Sequence, residues 1–301
     1  MFDGPYSRRR LLRRGLATAG AGTLLGVAGC SGLNPLGGGG AGVYADWLAV
    51  PDDVGDSDHY QFTHLNTEAI EASEDELPDE FDVSFFESTW DPVDVDWEDT
   101  STILFYQSIT VVEAEFTRED VVDDLEDEDY DDDTEHLGYT IYLGPNEVRA
   151  LAVGDSTLVV VSGAYQSDPV DTLEAVLDAE NGDEERYGDD SEDMATLTGE
   201  LGAGSVVTGR TLEEVDNDNP DNGRFDHMVA RGSSTTIDGD TAQRKWVVVY
   251  DEASDVDLDD LEDWVDENDG SGGTFDDVDD VSYNASGRAG IITGTSDTDD
   301  L

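Results

Sequence analysis

The chain has 301 residues and carries 75 Asp and Glu against 14 Lys and Arg, a net charge of −61. Phosphate contacts need clusters of Lys or Arg, so this balance excludes nucleic acid as a partner, and a lone cysteine, Cys30, excludes an intramolecular disulfide framework. Such charge repels itself in dilute buffer, but the Debye length falls from about 10 Å at 0.1 M salt to about 3 Å at 1 M, so the composition points to a protein that works in molar salt.

Five of the 14 cations lie between Arg8 and Arg14, in "SRRRLLRRGLATAGAGTLLGVAGCSG" from Ser7 to Gly32. A basic start, the apolar run Leu16 to Gly29 and small residues at its end make an export signal. A bilayer core needs about 20 apolar residues, and this run is diluted by Gly15, Gly20, Gly22 and Gly26, so a spanning helix is not predicted. Ser7 to Leu12 resembles the twin-arginine signal, with Arg8 and Arg9 as the pair a receptor reads. Val27-Ala28-Gly29-Cys30 resembles a lipobox, which implies cleavage before Cys30 and a lipid on its sulfur. Residues 1–29 are thus read as a signal peptide, and 30–44, "CSGLNPLGGGGAGVY", as a lipidated tether with roughly 20 Å of reach. Removing the signal takes five arginines and Asp3, leaving nine cations against 74 acids and a net charge of −65.

The remainder divides into 45–190 and 191–301. A weak helix runs from Thr67 to Glu76. Thr117 to Asp120 fits a capping box that opens a second, with Val121, Val122 and Leu125 inward. Asp168-Pro169 supplies an N-cap and first-turn proline for a third, faced by Val170, Leu173 and Leu177 and ended by Asn181-Gly182. Asp257 opens a fourth, with Leu258, Leu261 and Val265 on one side and Gly270 past its end. Strands at Val148 to Val153 and Thr157 to Ser162 flank Gly154-Asp155, and strands at Ser233 to Ile237 and Thr241 to Tyr250 flank Asp238-Gly239, a type I′ hairpin signal. The order strand, helix, strand, strand occurs at 109–163 and again at 241–297, with "DDLED" in both helices. The fold class predicted is α+β, two related halves with mainly antiparallel sheets and helices on one face.

Apolar segments such as "TLVVVSG" and "RKWVVVY" rule out a disordered acidic tail. An EF-hand loop fails on spacing: Asp218 to Val229 puts Pro220 at position 3 and Val229 at position 12, and the Gly270 register puts Val265 at position 1. No metal site and no cofactor are predicted. A solvated acidic surface remains, in a chain whose only lysine is Lys245. With the signal, "GYTIYLG", "VRALAVGDSTLVVVSG" and "DTLEAVLDAENG" resemble an uncharacterised group of haloarchaeal lipoproteins across most of the mature chain. The resemblance implies a lipid anchor at the outer face of the cell membrane, through a two-chain lipid on Cys30, and no activity.

Catalytic signatures are missing from the sequence. No G-x-S-x-G pentad occurs, and "GELGAG" has the glycines of a phosphate loop without its lysine. His59 and His64 fall on opposite faces of the alternating "HYQFTH", which excludes joint ligation; His136 and His227 stand alone. Paired carboxylates can hydrolyse glycosides, but among 74 acids a pair carries no information. Trp47, Trp90, Trp97, Trp246 and Trp264 read as core, with Trp90 and Trp97 the pair that would suit a sugar platform. Two functions follow: a non-catalytic, lipid-anchored envelope protein that binds a small ligand or another envelope protein, or an exported carboxylate-dependent hydrolase, for example glycan-directed. Asn284-Ala285-Ser286 is the sole N-x-[ST] sequon and the predicted glycosylation acceptor. Screening of 74 acids that have nine cations to pair with should make the melting temperature climb steeply from dilute to molar NaCl; equal midpoints throughout would overturn the halophilic reading.

Overall fold

A computed structural model of the chain describes residues 42–55, 57–78, 84–163, 168–216 and 219–301. Arg8, Arg9 and Cys30 lie outside these residues. Among the described residues no helix is long and apolar enough to cross a membrane.

The fold is α+β, built on one antiparallel sheet of twelve strands. In chain order the strands are β1 Gln61–Asn66, β2 Thr100–Tyr106, β3 Ile109–Ala114, β4 Asp131–His136, β5 Tyr139–Leu143, β6 Arg149–Val153, β7 Thr157–Ser162, β8 Val206–Thr211, β9 Met228–Asp238, β10 Thr241–Tyr250, β11 Asp279–Ser286 and β12 Ala289–Asp297. The helices are α1 Pro51–Val54, α2 Thr67–Glu71, α3 Ser84–Glu87, α4 Arg118–Asp127, α5 Pro169–Asn181, α6 Tyr187–Asp190, α7 Glu192–Leu201 and α8 Leu258–Asn268. Across the sheet the order is β11-β12-β10-β9-β8-β1-β2-β3-β7-β6-β5-β4.

That order contains one connection used twice. Strands β1, β2 and β3 form a meander, helix α4 leaves it, and the chain returns through hairpins until β7 pairs with β3. Strands β8, β9 and β10 form a second meander, α8 leaves it, and β11 and β12 return until β12 pairs with β10. The two halves differ by one hairpin, β4 and β5, so 109–163 holds two more strands than the sequence order suggested. Antiparallel pairing of β1 with β8 joins the meanders back to back into a single sheet.

The halves were expected to carry their helices on one face, and here the structure differs. Helices cover both. On face A, α5, α6 and α7 and the 3-10 turn Val43–Trp47 pack on Phe62, Val111, Val159 and Val207. On face B, α4 brings Val121 and Leu125 onto Ile103, Val112 and Val160, while α8 brings Leu261, Trp264 and Val265 onto Trp246, Val248 and Ile292. The reason lies in the strands: Leu158 to Val161 are all buried, and an uninterrupted apolar run in a strand, where successive side chains point to opposite faces, needs cover on both. Tyr44, expected in the tether, is 2% exposed and stacks on Phe62 at 5.4 Å, so the folded part takes in the end of that segment.

Local signals mostly act as read. Asp168 accepts a hydrogen bond from the Val170 amide, Gly182 ends α5 in the left-handed region, and Asp257 accepts from Asp259. Thr117 is the N-cap of α4 but its side chain makes no capping bond, so no capping box forms there. The β9–β10 turn is shifted by one residue: Asp238 pairs with Thr241, which leaves Gly239 and Asp240 as the loop. Gly239 has φ +61° and Asp240 is not in the left-handed region, which is the pattern of type II′ rather than I′. Helix α4 is held to the sheet mainly by Val121 and Leu125, both fully buried. Leu125→Ala should cost about 2–5 kcal/mol in denaturant unfolding at constant molar salt; a loss below about 1 kcal/mol would show that α4 is not packed as described.

Candidate functional site

Face B is covered at its two ends and open between them. Along β8 burial alternates: Val207, Gly209 and Thr211 face the helices of face A and are buried, while Val206, Thr208 and Arg210 face B and are half-buried. Neighbouring strands carry the open strip onward. Arg210 pairs across the ladder with Arg231 on β9, Thr208 with Ser233, and Ser233 in turn with Trp246 on β10. The result is a cleft of about 410 Å³ floored by β1, β8, β9 and β10 and walled by Trp264 and Asn268 of α8 and by the turn at Asn222. That volume is in the range of small-molecule sites, about 300–1,000 Å³.

The cleft is positively charged in a strongly negative chain. Directly opposed residues of an antiparallel pair have Cβ atoms about 5 Å apart, and like charges placed so are destabilising; Arg210 and Arg231 occupy such positions. Neither forms an ion pair with a carboxylate among the described residues, whereas Arg288 reaches Asp193 at 2.5 Å and Arg186 reaches Asp46. Nη1 of Arg231 donates to the Gly223 carbonyl at 2.9 Å. Nε of Arg210 is enclosed and has no hydrogen-bond partner among the described residues. Burial first, and the charge of Arg210 second, pull the Arg231 guanidinium below its ordinary range. Arg244, on the same face of β10, lies over the Trp246 ring at 4.9 Å. The turn that holds Arg231 sits against α8 so closely that a Cβ on Gly223 would fall 2.7 Å from the Trp264 ring.

The residues singled out in the sequence lie elsewhere. Asn284 is exposed on the edge strand β11, with the Ser286 hydroxyl of its sequon donating to Glu200 at 2.6 Å. His136 pairs with Asp178 at 2.7 Å and His227 with Glu214 at 2.6 Å, both at the surface. Trp90 and Trp97 are buried in the face B core of the first half, where Trp90 Nε1 donates to Val95, so they form no sugar platform. Asp297, Asp299 and Asp300 bring carboxylates within 4.8 Å of one another, all exposed, and nothing else there marks an ion site.

Sequence reasoning missed the cleft although a signal existed. Of the nine cations of the mature chain, five, Arg210, Arg224, Arg231, Arg244 and Lys245, fall within 36 residues of the same meander. Also missed was the buried state of His64, 5% exposed beneath Tyr44, with Nδ1 unbonded among the described residues.

No protein family matches the chain, and no curated protein is similar to it. Among solved structures it is similar to three crystal forms of TP0453. Form III gives 8% identity and a TM-score of 0.46 over 84% of this chain and 94% of that one. Form I gives 10% and 0.45 over 86% and 94%, and form IV gives 9% and 0.42 over 84% and 94%.

Burial lowers the His64 pKa to about 4 from its ordinary 6.5. The unfolded chain therefore takes up the proton first, and the folded state loses stability as pH falls from about 6.5 toward 4, by about 3 kcal/mol from this group. His64→Phe should remove that component, flattening the variant's loss of stability over this window relative to the wild type. Parallel pH profiles of the two proteins would show His64 to be protonated in the fold.

Proposed function

We propose that this chain is a lipid-anchored, extracytoplasmic binding protein of a halophile's cell envelope, non-catalytic, with the cleft on face B as its ligand seat. The observation that carries the reading is the opposed Arg210–Arg231 pair in that cleft, held without a carboxylate partner among the described residues. A folding surface gains nothing from two guanidinium groups set opposite each other, so their placement suits something bound rather than something packed.

The competing reading, a carboxylate-dependent hydrolase, needs an acid and a base flanking the reacting bond. Among the described residues the cleft is lined by Arg, Trp, Thr, Ser, Asn, Gln, Val and Gly, none of which exchanges protons near neutrality. The carboxyl groups held above their ordinary range, Asp99 and Asp300, are exposed and stand apart from it. What supports the binding role is this absence of proton-transfer groups beside a concave, cationic surface.

The location rests on the signal. Cys30 would carry the lipid, and the glycine-rich segment up to Gly42 would tether the folded part to it with roughly 20 Å of reach. One acyl chain anchors only marginally, so a two-chain lipid fits stable retention. In cell fractionation the wild type should partition into detergent and Cys30→Ser should not. Replacement of both Arg8 and Arg9 by Lys should block export, since receptors distinguish a guanidinium fork from a point charge. Equal partitioning of wild type and Cys30→Ser would show that the cysteine is not the anchor.

A further inference from the structure

We propose that the cleft takes a small organic anion, its carboxylate or phosphoryl oxygens held between the guanidinium groups of Arg210 and Arg231 and its apolar part laid toward Trp246 and Trp264. The proposal rests on the reading of the cleft as a ligand seat and adds the chemical class of the ligand.

Four observations converge on an anion. The first is the cross-strand Arg pair, two fork-shaped donors whose planar geometry matches carboxylate and phosphate oxygens in a bidentate way. The second is the unspent hydrogen-bonding capacity: among the described residues Arg210 Nε has no partner, and Arg231 is aimed by one bond to the Gly223 carbonyl, which leaves its other donors for a ligand. The third is what surrounds the pair. One residue in four of the chain is acidic, 75 of 301, yet no Asp or Glu lines the cleft among the described residues, where Gln61, Thr208, Ser233 and Asn222 supply neutral hydrogen-bonding groups instead. The fourth is the aromatic wall: Trp246, which lines the cleft, carries Arg244 over its ring at 4.9 Å, four residues along β10 from the Val248 that opposes Arg231.

Long-range attraction from the acidic surface is the other physical reason to keep two arginines here. Molar salt confines such attraction to about 3 Å, and among the described residues no carboxylate forms an ion pair with either of them. An anion bound in direct contact with both supplies that neutralising charge. The tryptophans and Val248 add apolar surface to the lining beside the arginines, which suits an organic anion better than a bare inorganic ion.

Tryptophan fluorescence and melting temperature of the mature chain, recorded together in molar NaCl, test this. The probes are benzoate, phenyl phosphate, inorganic phosphate and neutral phenol. Benzoate or phenyl phosphate should change the fluorescence saturably and raise the melting temperature, with the preference between them telling carboxylate from phosphoryl. Arg210→Gln should weaken that binding tenfold or more, the loss expected for a charge-assisted bond, without lowering the melting temperature of the free protein; Arg118→Gln, remote from the cleft, should bind as the wild type does. Inorganic phosphate binding as tightly as phenyl phosphate would overturn the organic part. Phenol binding as tightly as the anions would overturn the anion class while leaving the cleft as a seat. Failure of all four probes would overturn the proposal and the cleft as a seat together, and equal binding by Arg210→Gln would remove the Arg pair from it.

Discussion

The antiparallel pairing of β1 with β8 is the contact on which the rest of the architecture depends. Each meander has its own crossover helix and its own core on face B, and each could close on itself only by leaving an edge strand at β1 or β8 open to aggregation. Pairing the two edges removes both at once and produces a sheet of twelve strands. It also fixes relative position. Phe62 lies opposite Gly209, and Gly209 opposite Gly232, so the ring lies over Gly209 while Leu197 and Leu201 of α7 reach the sheet at the two glycines. A Cβ on Gly209 would fall 2.5 Å from the Phe62 ring, and one on Gly232 would fall 2.9 Å from Leu201 of α7. The seam therefore tolerates little change on face A.

On face B the same seam has the opposite consequence. Crossover helices α4 and α8 cover the sheet where their own meanders lie, and neither reaches the strands at the junction. The strip between them keeps polar and cationic side chains half-exposed, and the cleft is that strip, closed on one side by α8 and the Pro220–Asn222 turn. A concave site at the junction of two related units needs no dedicated loop, because the geometry of joining them supplies it. The Arg pair sits on the strands immediately beside the seam, on the reverse of the Gly209–Gly232 pair that packs most closely on face A.

Much of this was legible locally and little of it globally. Caps at Asp168 and Asp257 and the left-handed stop at Gly182 were readable because they depend on a few neighbouring residues. Helix α7 was equally readable and went unread: Ser191 accepts a bond from the Met194 amide, and Met194, Leu197 and Leu201 recur at helical spacing. The helices on both faces followed from the unbroken run Leu158 to Val161, which the alternation of a one-sided sheet cannot accommodate. The β1–β8 pairing joins residues 61–65 to 206–210, and no local pattern specifies a contact so distant in the chain. Of the site, composition hinted at a cationic cluster in the second meander, but its acid-free lining needed the register of four strands.

Use of the cations elsewhere sharpens what is unusual about the cleft. Lys245, on the face A side of β10, donates to the carbonyls of Glu200 and Leu201, completing the negative end of α7. Arg186 binds the carbonyls of Ala179 and Glu180 near the end of α5 as well as Asp46. Arg149 donates to the Thr89 carbonyl and Arg118 to the Thr140 hydroxyl. In a chain with so few positive charges, these each satisfy a helix end, a loop or a strand. Arg244 places its charge over the Trp246 ring. Arg210 donates to no such group among the described residues, and a neutral side chain of similar length would fill its position on the sheet without repelling Arg231, so its charge is the one the described fold leaves unspent.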